Sequence, residues 1–121
     1  MATGFESHTF DGSTDAESGT PITISVSSTG PEPIISAAGE LDFTNAHLLV
    51  ETVTGLELDG HRTVVLDLSG LTFCDARGVS ALLTANNSVG SAGRRLLLRG
   101  VAGIPRRVLS LTEADSSLDV E

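Results

Sequence analysis

A short apolar run, TVVLDL at residues 63–68, sets the strongest limit on what this chain can fold into. It is β-branched, bounded by polar residues, and of the length and type expected of a buried central strand. Helical periodicity flanks it on both sides. Upstream, residues 44–57 (TNAHLLVETVTGLE) place Ala46, Leu49, Val50, Val53 and Leu56 at helical spacing, with Thr44 positioned as an N-cap. Downstream, a helix is predicted over Ala76–Val89, with Val79, Leu82, Leu83 and Val89 on one face and Asp75 at its N-cap. A strand between two amphipathic helices points to an α/β arrangement.

The remaining segments extend that pattern. ITISVS (22–27) alternates Ile22, Ile24 and Val26 with Thr and Ser, and IISAAGEL (34–41) returns after the turn chemistry of Thr29-Gly30-Pro31. RRLLLRG (94–100) reads as a further strand, IPRRVLSLT (104–112) as a helix with Pro105 in its first turn, and 118–120 as a short closing strand. The expected fold is therefore a single α/β domain, a mixed four- to five-stranded sheet with helices packed against it, over residues 21–121. Residues 1–20 read as a flexible acidic tail rich in Ser, Gly and Thr, too poor in aliphatics to offset ordering.

Composition removes several function classes. The 121 residues include no lysine, which excludes a Walker-A phosphate loop, a Schiff-base enzyme and a two-component receiver. One cysteine excludes an internal disulfide framework and a Cys-based zinc site. No GxSxG surrounds any serine and no GxGxxG follows the first strand, so neither acyl-enzyme nor dinucleotide chemistry is supported. His8, His47 and His61 have no metal-ligand spacing between them. The net charge of −9 argues against nucleic acid, and no apolar run reaches the ~20 residues of a membrane span. The expectation is a cytoplasmic protein without cofactor or metal, and the sequence argues against an enzyme more firmly than it argues for any ligand.

Charge is distributed in blocks: −11 over residues 1–75, +6 over 76–112 and −4 over 113–121. Solvated faces account for such blocks, and so does a charge-complementary docking surface. Two loops stand out as well. Gly39-Glu40-Leu41-Asp42, followed by Thr44-Asn45-Ala46, and Phe73-Cys74-Asp75-Ala76-Arg77-Gly78 each place an acid just before a helix, where it can accept bonds from free N–H groups.

Taken in order, GELDFTNA (39–46), VVLDLSGLTF (64–73) and CDARGVSALL (74–83) resemble the STAS domain of the anti-sigma factor antagonists. GRRLLLRG and the Pro105 helix match that family's later strand and helix, and the resemblance covers about residues 21–113. It implies a bacterial, cytoplasmic regulator of transcription. Such a domain binds a kinase-type anti-sigma factor, with a histidine-kinase-like ATPase fold, and thereby frees a sigma factor. It also implies that the residue after Asp75 is the family's phospho-acceptor and that Asp42 lies beside it on the partner-facing rim.

The chain departs from the family at that position. Ala76 has no hydroxyl, and Arg77 stands where a second Ser or Thr is usual. The resemblance thus implies a partner-binding set of Asp42, Asn45, Asp75, Ala76, Arg77 and Gly78, with the usual phospho-switch absent. Ser80 is the nearest hydroxyl and a candidate displaced acceptor, and Cys74 is either a redox element or a small buried hydrophobe. Two alternatives stay open: a STAS accessory subunit of a lipid-transport ATPase, and a nucleotide-binding STAS module. Whether the chain forms a homodimer is likewise open.

Overall fold

A computed structural model describes residues 5–10 and 20–121. Two antiparallel strands, β2 (Ile22–Ser27) and β3 (Ile34–Leu41), form where alternation predicts them. They lead into α1 (Ala46–Thr54), β4 (Thr63–Cys74), α2 (Ala76–Ser91), β5 (Arg95–Arg99), α3 (Gly103–Leu111), a 3-10 turn at Ala114–Ser116, and β6 (Asp119–Val120). From β3 onward each strand pairs in parallel with the next.

The sheet has six strands, one more than expected, because β1 (Phe5–Phe10) pairs antiparallel along the whole of β2. That strand lies within the stretch read as a tail. Its sequence, FESHTF, carries no run of aliphatics to signal a strand. What it gains is backbone pairing with the otherwise open edge of β2. The tail expected over residues 1–4 and 11–19 lies outside the described residues.

Spatial order follows chain order, β1-β2-β3-β4-β5-β6. Parallel neighbours joined through helices take right-handed crossovers, so consecutive crossovers in one direction put α1, α2 and α3 on the same face of the sheet. The core lies between the two layers. Ile22, Ile24, Ile35, Ala37, Val64, Leu66, Leu68, Leu96 and Leu98 supply its sheet side, and Leu49, Val53, Val79, Leu82, Ala85, Val89 and Leu109 its helix side. On the other face of β5, Arg95 and Arg99 flank Leu97 and pair with Asp119 and Glu121.

β4 extends to Cys74, six residues beyond the predicted TVVLDL. Its core-facing residues are Val64, Leu66 and Leu68, then Leu71 and Cys74, so the spacing lengthens from two to three. The pairing explains this, because Ser36 and Ala38 stand opposite Asp67 and Gly70, and Gly39 and Glu40 opposite Leu71 and Phe73. Each step carries one extra residue on β4, a bulge that bends the strand. A Cβ on Gly70 would stand 2.8 Å from that of Ala38, so the first bulge requires glycine. The bulged extension brings the end of β4 to the end of β3, with Leu41 opposite Cys74.

Candidate functional site: two cross-linked loops

The loops that follow β3 and β4 meet at the carboxyl end of the parallel strands. Asp75 caps α2 as predicted, since its Oδ1 accepts the Gly78 N–H at 2.8 Å. Its other oxygen, Oδ2, accepts the Phe43 N–H at 3.1 Å, and the Asp75 N–H donates to the Leu41 carbonyl at 3.2 Å. One carboxylate thus fastens the first loop to the first turn of α2.

Close approach at this point depends on Gly78, which is buried. A Cβ there would stand 2.7 Å from Cys74 Sγ and 2.8 Å from the Leu41 carbonyl oxygen. Cys74 is 1% exposed, and burial, with the Asp75 charge adding to it, pushes its thiol up to about 12. A thiol so held stays protonated at neutral pH and is a poor nucleophile.

The first loop is fastened from within. The Asp42 carbonyl accepts the Ala46 N–H at 2.9 Å, while Asp42 Oδ1 accepts the Thr44 N–H at 2.9 Å and its hydroxyl at 2.6 Å. The other oxygen of Asp42 accepts the Thr20 hydroxyl. Burial raises the Asp42 carboxyl, but the hydrogen bonds from Thr20, Thr44 and Asn45 outweigh it and hold the group below its ordinary 3.8.

Three expectations need correction. Thr44 is not the cap of α1; Asn45 occupies that place, with no side-chain cap bond. Nor can Asn45 face a partner, being 3% exposed. Its Oδ1 accepts the Asp42 N–H at 3.0 Å, and its Nδ2 donates to the Thr20 and Glu40 carbonyls, each at 2.9 Å. Every polar atom of that side chain is engaged in bracing the loop. Gly78, also expected on the partner face, is buried and acts by letting the two loops touch.

Ala76, Arg77 and Ser80 are exposed, and Arg77 makes no ion pair or hydrogen bond with another described residue. Phe43 belongs with them, a residue that the sequence motifs alone do not mark. Its side chain is 70% exposed, while its backbone is held by Asp75. The signal was available as an aromatic residue within an otherwise polar turn, Asp42-Phe43-Thr44. Phe73, at the end of β4, is 38% exposed. The result is a solvent-facing surface combining an aromatic ring, a small alanine and a guanidinium with no partner among the described residues. Such a surface can dock a protein. Among the described residues no group of His, Cys, Asp and Glu could hold a metal ion, and no helix is long and apolar enough to cross a membrane.

A protein-family model described as "Mlab, STAS domain" matches residues 24–119. No curated protein matches the chain. Among solved structures, an anti-sigma factor antagonist from Mycobacterium paratuberculosis aligns with a TM-score of 0.70 at 23% identity, covering 82% of this chain and 84% of that one. The anti-sigma factor antagonist SpoIIAA in its unphosphorylated form aligns with a TM-score of 0.60 at 18% identity, covering 81% and 86%. A sulfate transporter family protein from Wolinella succinogenes aligns with a TM-score of 0.63 at 24% identity, covering 72% and 73%.

Proposed function

We propose, from the premise that this chain belongs to the STAS domain family, that it is an anti-sigma factor antagonist acting in the bacterial cytoplasm. It binds a kinase-type anti-sigma factor through the two cross-linked loops and so releases a sigma factor. The observation that carries this reading is the Asp75 carboxylate, which holds the Phe43 loop and the Ala76-Arg77 turn as one exposed surface. The STAS match over residues 24–119 supports it, as does a fold shared with two anti-sigma factor antagonists.

In this reading Phe43 and Arg77 touch the partner, Asp42 forms the rim, and Asn45, Asp75 and Gly78 position the others. The off-switch differs from the family pattern. With Ala76 in the acceptor position, phosphoryl transfer there has no oxygen to attack, so docking is not reversed at that residue. The test is affinity purification of the full chain from its native cell, with the Phe43→Ser variant alongside. A kinase-like ATPase recovered with the first and lost with the second supports the reading.

Ala76 also favours a second reading. A permanent accessory subunit of a transport ATPase has no need of a phospho-switch. Recovery of a transporter ATPase in the same experiment would establish that reading instead.

A further inference from the structure

Away from the two loops, exposed apolar side chains gather on α3. Ile104 is 55% exposed and Leu111 72%, against Phe43 and Phe73 at the loop end. The helix buries Pro105 and Leu109 toward the core. Ile104, Arg107, Val108 and Leu111 then follow the spacing i, i+3, i+4, i+7, which aligns them along one helix face. Val108 is partly buried and packs on the core, so this face begins at the core margin and runs out into solvent. A surface helix typically carries charged or polar residues opposite its buried face.

The charge of α3 is equally one-sided. Its nine residues include Arg106 and Arg107 and no acid. Arg95 and Arg99 pair with Asp119 and Glu121, and Arg94 donates to the carbonyls of His61 and Ala92. Arg106 and Arg107 have no such partner among the described residues.

We propose that this face of α3 docks an acidic amphipathic helix of a partner protein, with apolar side chains over Ile104 and Leu111 and a carboxylate on Arg107. The spacing of the anchors is that of helix-on-helix recognition, and an Arg–carboxylate pair fixes the register. A membrane surface fits less well, because anionic lipid repels a chain of net charge −9. A second copy fits less well too, because a two-fold α3 pair sets Arg107 near Arg107. This inference does not depend on what the two loops bind.

The experiment uses the full chain and a fluorescein-labelled helical peptide with leucines at i, i+3 and i+7 and glutamates beside them. A charge-reversed peptide with lysines is the control. Anisotropy is expected to show saturable, salt-sensitive binding of the acidic peptide alone. That binding is expected to weaken at least tenfold in Arg107→Glu and in the double variant Ile104→Ser/Leu111→Ser. These positions are exposed, and a denaturation curve for each variant checks that the fold is kept. Four results would overturn the proposal: no binding of the acidic peptide, equal binding of both peptides, binding lost on changing Phe43 but not α3, or partition of the chain into phosphatidylglycerol vesicles. Concentration-dependent dimerisation abolished by Leu111→Ser would assign the face to self-association instead.

Discussion

Phe43 and Asp75 lie 32 positions apart in sequence, yet the backbone N–H of the first donates to the side chain of the second at 3.1 Å. The same carboxylate caps α2 through Gly78. Asp75→Ala therefore removes both a helix cap and a loop tie, and is expected to cost about 1–2 kcal/mol. The measurement is a denaturant midpoint together with amide exchange at Phe43 and Gly78, both of which should exchange faster. A Phe43 amide still protected in the variant would mean that something other than Asp75 holds the loop.

Gly78→Ala sets two opposing terms against each other. Alanine gains up to about 1 kcal/mol in helix propensity over glycine. Against this, the new methyl meets Cys74 Sγ at 2.7 Å and the backbone oxygen of Leu41 at 2.8 Å. Overpacking of that kind costs about 1–3 kcal/mol, and the Leu41 contact is backbone and cannot rotate away. A net loss of stability is expected, relieved only in part by adding Cys74→Ala. Thermal unfolding of the single and double variants reads this out.

Cys74 is expected to react slowly with thiol reagents until the protein unfolds. Its thiol has an ordinary value of 9.0 and is pushed to about 12 in the folded chain. Between these values the unfolded state loses its proton while the folded state keeps it, so stability falls as pH rises above 9. Replacing Cys74 by Ala should flatten that part of the pH–stability curve. Rapid labelling of the native protein would favour a redox role.

Asp42 behaves in the opposite sense. Its carboxyl is held below 3.8, so its contribution is fully present above that value and disappears as pH falls through the lower folded value. Asp42→Asn is expected to lower stability at neutral pH and to narrow its gap from the parent chain in acid. Unfolding curves from pH 2 to 7 would show a constant gap if Asp42 had no such role.

Incubation with a kinase-type anti-sigma factor and ATP is expected to leave residues 74–80 without added phosphate, and Ala76→Ser to create an acceptor. Peptide mass spectrometry checks both, and phosphate on Ser80 would mark it as a displaced acceptor. Arg77→Ala is expected to weaken partner binding by about 1–3 kcal/mol, the range of a charged hydrogen bond, with stability within about 0.5 kcal/mol of the parent chain. Calorimetric binding beside a denaturation curve separates the two effects.

What could be read from the sequence follows the periodicity of each segment. Ile22, Ile24 and Val26 announce their strand because apolar residues alternate there, Leu96–Leu98 announce theirs as a short apolar run, and Asp75 announces a helix start because a carboxylate there meets free N–H groups. The second half of β4 could not be read, since two bulges change the spacing of its core residues from two to three. β1 could not be read because backbone pairing, not an apolar pattern, places it. The type and position of Asn45 suit surface and core alike, so the sequence does not separate a partner-facing role from a buried one. Only the three-way bonding of its amide decides between them.

A sheet whose strands lie side by side in the order they occur has a consequence for how the protein is made. Each strand pairs with the strand that precedes it in the chain, so a pairing can form as soon as the later of the two neighbours is present. Pairings of short sequence separation cost less loop entropy and form faster than distant ones. As the chain leaves the ribosome, the β2–β3 hairpin can form first and each strand–helix unit can be laid onto the growing edge in turn. The contacts that join the loops around Phe43 and Asp75 need nothing beyond β4 and the first turn of α2, so they can form ahead of β5 and α3.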